Sequence, residues 1–228
     1  MIHRYGDHPS QHGELLIPAD EPRGVVVVIH GGFWKAPYGL EWGRPLAVDL
    51  ASRGWVSWNL EYRRVGDGGG VPATVDDVAA GMDLLADLGL DLSTVVTVGH
   101  SAGGHLATWA ASRGGVTAVI SQAGVLDLRS AYAEGLGGGA VEALLGHAPS
   151  DADDVLDPLR QVPLDVPVWC VHAPGDDTVP ISQSRDYVAA TKAAGGRATL
   201  VEVPGDHYSV IDPASEAWAL TVGILERL

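Results

Sequence analysis

Cysteine occurs once in the 228 residues, at Cys170, and phenylalanine once, at Phe33. A single cysteine excludes an intrachain disulfide framework and a cysteine metal cage. Its setting in "PVWCVHA" makes it a buried strand residue rather than a nucleophile. Basic residues are scarce as well: 14 Lys and Arg stand against 29 Asp and Glu, a formal charge of −15. Such a field repels phosphate backbones and anionic lipid surfaces, so nucleic acid is not an expected partner. No apolar run approaches the roughly 18 residues that a membrane span needs, and "MIHRYGDHPSQHGELL" lacks the basic-then-apolar layout of a secretory signal. No membrane span is expected, and a cytoplasmic location follows by default. No linker divides the chain, and the glycine clusters at Gly68 to Gly70 and Gly137 to Gly139 are its only low-complexity tracts. One domain over residues 1–228 is expected.

What is present is an alternation. Strand-like runs recur as "GVVVVIHGG", "WVSWNLEY", "TVVTVGHS", "AVISQAG", "PVWCVHAPG" and "ATLVEVPG". Between or after them lie helix candidates over Gly43 to Arg53, Ala73 to Leu88, Ala102 to Arg113, Ile181 to Ala194 and Pro213 to Leu228. Pro72 and Pro213 suit helix first turns; Gly54, Gly114 and Gly195 suit helix ends. The pattern predicts an α/β fold, a mostly parallel central sheet with helices on both faces. "HRYGDHP" and "HGELLIP" read as short antiparallel strands at one sheet edge. The stretch 126–166 breaks the rhythm and is too long for a simple connection, which predicts a small cap or pocket-wall insertion.

"GHSAGG", Gly99 to Gly104, matches G-x-S-x-G with a strand before it and an alanine-rich helix after it, the setting the motif requires. A serine in so sharp a turn needs small neighbours, and the turn lifts Ser101 above the sheet. The N–H of Ala102 then stands at a helix N-terminus, where it can stabilise an oxyanion. Serine needs a base oriented by a carboxylate. In this architecture the order is serine, acid, histidine. "HAPGDDTVP" offers Asp176 and Asp177 after one strand, and "PGDHYSVID" offers His207 after the next. Asp176 is the preferred acid, with Asp177 facing solvent or capping a helix. His30 and His100 read as loop-holding residues. No histidine falls in a metal-binding spacing, so neither metal nor cofactor is expected.

These residues resemble the α/β-hydrolases over nearly the whole chain. "IHGGFW" is similar to the H-G-G-x-W signature of kynurenine formamidases and related small esterases, kin to hormone-sensitive-lipase-like enzymes. Tyr62, Arg63, Pro72, Ala73 and Asp77 in "EYRRVGDGGGVPATVDDV" resemble those families' Y-R, P-A and acidic positions. The resemblance implies an oxyanion hole from the N–H groups of Gly32, Phe33 and Ala102, and a pocket involving Phe33, Trp34 and Tyr208. Arg63 or Arg64 is expected to tie its loop to Asp76 or Asp77, with a substrate carboxylate as the other role weighed.

The resulting expectation is a serine hydrolase that cleaves a small carboxylic ester or an aryl formamide through Ser101, His207 and Asp176. Its partner is a small-molecule substrate, and a homodimer stays open. Two rival readings stand beside it: a peptidase of the prolyl-oligopeptidase type, disfavoured by the lack of a propeller, and a ligand-binding receptor on a hydrolase fold.

Overall fold

Val25–Ile29 forms the strand β3 in the middle of the sheet, and all five residues are buried. Its alternate side chains enter two different cores, Val25, Val27 and Ile29 on one face and Val26 and Val28 on the other. A strand covered on both faces needs no polar side, which explains the unbroken apolar run. The computed structural model describes all residues, 1–228.

The other strands are β1 (Ile2–Arg4), β2 (His12–Leu16), β4 (Val56–Leu60), β5 (Val95–His100), β6 (Ala118–Gln122), β7 (Val168–His172) and β8 (Ala198–Glu202). They form one sheet in the order β1-β2-β4-β3-β5-β6-β7-β8. The first two pairings are antiparallel and the rest parallel, as expected for a hairpin added to the edge of a crossover-built sheet.

The helices are α1 (Arg44–Ser52), α2 (Ala73–Asp83), α3 (Ala102–Ser112), α4 (Leu128–Ala133), α5 (Leu136–Leu145), α6 (Ser182–Ala193) and α7 (Glu216–Leu225). Leu46, Leu50, Trp218 and Val222 place α1 and α7 over one face. Val75, Val78, Leu106 and Tyr187 place α2, α3 and α6 over the other. Gly54, Gly114 and Gly195 follow helix ends with φ of 89°, 89° and 81°, a conformation that costs glycine little. Cys170 is fully buried and burial pushes its thiol up to about 12, so it is packing, not chemistry.

Two boundaries differ from expectation. The last helix starts at Glu216 rather than Pro213, because the Ser215 hydroxyl accepts from the Trp218 N–H and caps it there. The second helix is α-helical only to Asp83 and continues as a 3₁₀ turn over Leu84–Leu88.

The insertion 126–166 carries α4 and α5, with Gly137, Gly138 and Gly139 left-handed at the start of α5. Leu128, Ala131, Ala140, Val141 and Leu144 join the core beside α2 and α3. The segment supplies no residue to the lining of the cleft that holds Ser101 and His207. Gly137 abuts the ring of Phe33, and its carbonyl accepts from Lys35 Nζ at 2.6 Å.

Candidate active site

Ser101 sits between β5 and α3 with φ 55° and ψ −120°, a strained backbone for a residue with a Cβ. Neighbouring bonds hold it: its N–H donates to the Gln122 carbonyl at 2.8 Å, and its carbonyl accepts from Gly104 and His105. The motif glycines are sites of close packing. A Cβ on Gly99 would stand 2.0 Å from the Gly103 carbonyl oxygen, and one on Gly103 would stand 2.0 Å from that of Ile29. Any side chain there would push α3 off the sheet.

The loop after β3 is a second strained turn. Lys35 N–H donates to the Gly32 carbonyl at 3.0 Å, and the two residues between, Phe33 and Trp34, have φ of 51° and 56°. Left-handed backbone costs about 1–2 kcal/mol for each such residue. Packing holds the turn in place. The N–H groups of Gly32 and Phe33 donate to no other group of the chain, and Ala102 opens α3, where N–H groups lack intrahelical partners. Gly31 brings this loop against the Ser101 turn, since a Cβ there would lie 3.0 Å from Ser101 Cβ.

A buried network fixes the loop from below. Glu61 accepts from His30 Nε2 at 2.9 Å, from the N–H groups of Leu40 and Tyr62, and from Arg64 at 3.2 Å. Tyr62 stacks on His30 with centroids 4.4 Å apart and donates its hydroxyl to the His30 carbonyl at 2.9 Å. Burial alone would raise the Glu61 carboxyl, but the His30 bond and the nearby positive charge outweigh it and hold the group below its ordinary value. Arg63 makes the expected tie, gripping Asp77 through two bonds of 2.7 and 2.8 Å. The substrate-carboxylate role is thus taken from Arg63, whose fork is already filled.

Asp176 and His207 meet at the carboxyl ends of β7 and β8. His207 Nδ1 lies 2.7 Å from Asp176 Oδ2, and both side chains are almost wholly buried. Oδ1 of Asp176 accepts from the N–H groups of Thr178 and Val179 at 2.9 and 2.8 Å. His172 Nε2 stands 3.3 Å from Oδ2. Burial would raise this carboxyl, yet hydrogen bonds from His172, His207 and the backbone prevail and hold it well below the usual carboxylate range. Asp177 is exposed and starts no helix; its contact is with the Thr178 hydroxyl at 3.3 Å. The bond to Asp176 uses Nδ1 of His207, and Nε2 makes no hydrogen bond within the chain.

Ser101, His207, Gly31, Gly32, Phe33 and Tyr208 share one cleft of about 430 Å³, measured with its open mouth. Trp34 is not among its walls. That ring is 1% exposed, packs edge-on against His105 with centroids 5.3 Å apart and belongs to the core, because the left-handed turn sends it inward. Tyr38, Trp42, His100 and Thr178 complete the lining. Of these, Tyr38 and Trp42 carry no sequence signal, since "KAPYGLEWG" has no periodicity that marks a cleft. Trp42 lies 6.1 Å from both Tyr38 and Tyr208, and all three are more than a third exposed. They form an aromatic rim at the mouth.

Comparison with known proteins gives this geometry its family. Isoprenylcysteine alpha-carbonyl methylesterase of Arabidopsis thaliana is 32% identical over 112 residues, which cover 46% of this chain and 26% of that protein. The match thus spans about a quarter of that relative's length. A truncated carbohydrate esterase from gut microbiota superposes with a TM-score of 0.81 at 20% identity, over 98% of this chain and 94% of the other. Esterase 2 of Thermogutta terrifontis, solved phosphonylated by sarin, gives 0.80 at 23% identity over 100% and 92%. These superpositions make the fold that of an α/β-hydrolase. The likeness to kynurenine formamidases stays one of motif. No helix is long and apolar enough to cross a membrane. With the BD-FAE family model matching residues 15–190, the greater part of the sheet and the nucleophile turn, the chain belongs to the BD-FAE family of α/β-hydrolases.

Proposed function

We propose that the protein, an esterase-type hydrolase, cleaves a small carboxylic ester through an acyl-enzyme on Ser101. The observation that carries this is the 2.7 Å His207–Asp176 bond in the same cleft as a serine held at φ 55°. Ser101 Oγ attacks the ester carbonyl as His207 Nε2 takes its proton, and Asp176 steadies the imidazolium. The oxyanion is received by N–H groups of Gly32, Phe33 and Ala102; by precedent one such donor contributes about 3–4 kcal/mol. The C–O bond breaks, the alcohol leaves with the proton from His207, and water repeats the sequence to release the acid.

The aromatic rim supports a substrate with a ring at the cleft mouth, either a flat aryl ring or the C–H face of a sugar, because exposed aromatic faces pack against both. The aryl formamide reading uses the same machinery and differs only in the leaving group.

The test is labelling with a fluorophosphonate probe, mapping of the modified residue, and a panel of p-nitrophenyl esters, acetylated sugars and N-formylkynurenine. Labelling at Ser101 with ester turnover supports the reading. A folded protein that stays unlabelled favours a binding role instead, and preference for N-formylkynurenine replaces the ester with the formamide.

A further inference from the structure

Three of the parallel strands end at a buried histidine, and each of these histidines bonds to a different loop of the cleft. His30, directly after β3, serves the oxyanion loop as described. His100 closes β5 and His172 closes β7. Neither is needed to transfer a proton in the proposed reaction.

His100 Nε2 lies 2.9 Å from the carbonyl oxygen of His207, and the two rings face each other with centroids 4.5 Å apart. A carbonyl only accepts, so Nε2 carries the proton. Burial, followed by the neighbouring His207, pushes the His100 ring down to about 3, so it stays neutral wherever an esterase works. Its register partner on β6 is Gln122. Gln122 Nε2 donates to the Val210 carbonyl at 2.6 Å. Adjacent side chains on adjacent strands thus hold the histidine loop at two points.

His172 does the same for the acid. Nε2 faces two acceptors, the Val179 carbonyl at 2.9 Å and Asp176 Oδ2 at 3.3 Å, so it too carries the proton. Nδ1 is then the acceptor for the Ser184 hydroxyl at 2.8 Å. With two backbone donors on Oδ1 and two imidazoles on Oδ2, the carboxylate is fixed in rotation. The second imidazole also draws on the charge of the oxygen that steadies His207.

We propose that His100 and His172 are positioning residues of the active site, His100 fixing the base His207 and His172 fixing and tempering the carboxylate of Asp176. This rests on the Ser101–His207–Asp176 reading given above. The titratable groups facing His207 are Asp176, His100 and Tyr208, with His172 across the carboxylate and Asp206 next in sequence.

The test compares glutamine, whose amide N–H reaches the Nε2 position, with asparagine, which is too short, at each site. Turnover of p-nitrophenyl acetate, its pH profile and Tm are measured on all four variants. His100→Asn is expected to lower kcat about 10- to 100-fold with KM within about twofold, the scale of a misplaced catalytic group; His100→Gln recovers most of it. His172→Asn is expected to move the acid limb of kcat/KM to higher pH, because His207 then has the carboxylate oxygen to itself; His172→Gln returns the limb toward wild type. Equal behaviour of glutamine and asparagine, or losses that only follow Tm, overturn the proposal. Should an asparagine variant not fold, the glutamine variant decides: kcat near wild type supports the proposal, and a large loss at unchanged Tm sinks it. Wild-type protein that a fluorophosphonate does not label at Ser101 removes the underlying reading, an outcome distinct from any pattern among the variants.

Discussion

Gly32 lies so close to Tyr38 that a Cβ on the glycine would stand 2.2 Å from the tyrosine Cβ and 2.5 Å from its Cγ, at a φ of 106°. Gly32→Ala therefore must move the loop whose N–H groups are assigned to the oxyanion. The expected result is a loss in kcat of roughly 10²–10³, the cost of one misplaced donor, with little change in KM. Steady-state kinetics on a short p-nitrophenyl ester would read it, and wild-type kcat in the alanine variant would take the oxyanion role from this loop.

Ser101 separates chemistry from strain. Ser101→Ala keeps the Cβ and the strained backbone, so turnover should collapse while Tm stays put. Ser101→Gly should be equally inactive but more stable by about 1 kcal/mol, because glycine adopts the turn without penalty. Thermal unfolding of both proteins gives the comparison, and equal Tm values would mean that the φ of 55° carries no cost.

The two adjacent aspartates are expected to differ widely. Asp176→Asn should lower kcat by about 10⁴, since an amide favours the wrong tautomer of the histidine. Asp177→Asn, at an exposed position, should stay near wild type. The reverse ranking would reassign the acid.

Asp157 gives a stability effect of opposite sign to that of Asp176. Burial, helped by the charge of Asp127, pushes its carboxyl up to about 6 from 3.8. Its Oδ2 has no hydrogen-bond partner, and Arg160 Nε is 4.0 Å away. A group raised in the folded state favours folding at low pH, and that contribution is lost as pH rises from about 4 to about 6. Its size is on the order of 1–3 kcal/mol. Asp176, held below its ordinary value, instead contributes above the usual carboxylate range and loses that contribution as the pH falls below it. In Asp157→Asn the decline between pH 4 and 6 should vanish, leaving the variant more stable at pH 8; denaturant unfolding across that range measures it. A wild-type decline that survives the substitution would sink the assignment.

The two tryptophans near the motif should part in the same way. Trp34→Ala removes a buried ring and should cost about 3–5 kcal/mol of stability. Trp42→Ala acts on a ring 42% exposed at the cleft mouth, and should leave Tm nearly unchanged while raising KM for aryl and sugar esters more than for a small alkyl ester such as ethyl acetate. Equal KM changes for all esters would remove the rim from substrate binding.

The central strands were legible because a parallel strand buried on both faces writes itself as a continuous apolar run, as in "VVVVI". The Ser101 turn was legible because close backbone approach leaves glycine no substitute at Gly99 and Gly103. The burial of Trp34 is not legible in the sequence, because the direction of a ring depends on the sign of φ, and two left-handed aromatics in succession carry no sequence mark. His172 was passed over since its contacts, Val179 carbonyl and Asp176 carboxylate, arise from a loop folding back on the strand. The role of residues 126–166 is not written in their order: their leucines and valines have the composition of a core layer, and nothing in the pattern tells which side of the sheet they cover.

The insertion packs against Phe33 and lines no part of the cleft, and this bears on the time course of the proposed reaction. No residue of 126–166 lines the cleft, so in the proposed reaction alcohol departure and water entry are expected at one open face without a hinge motion of this segment. Bond making at the acyl carbon is then the step expected to set the rate. Solvent viscosity should leave kcat unmoved, while the electron demand of the acyl group should govern it.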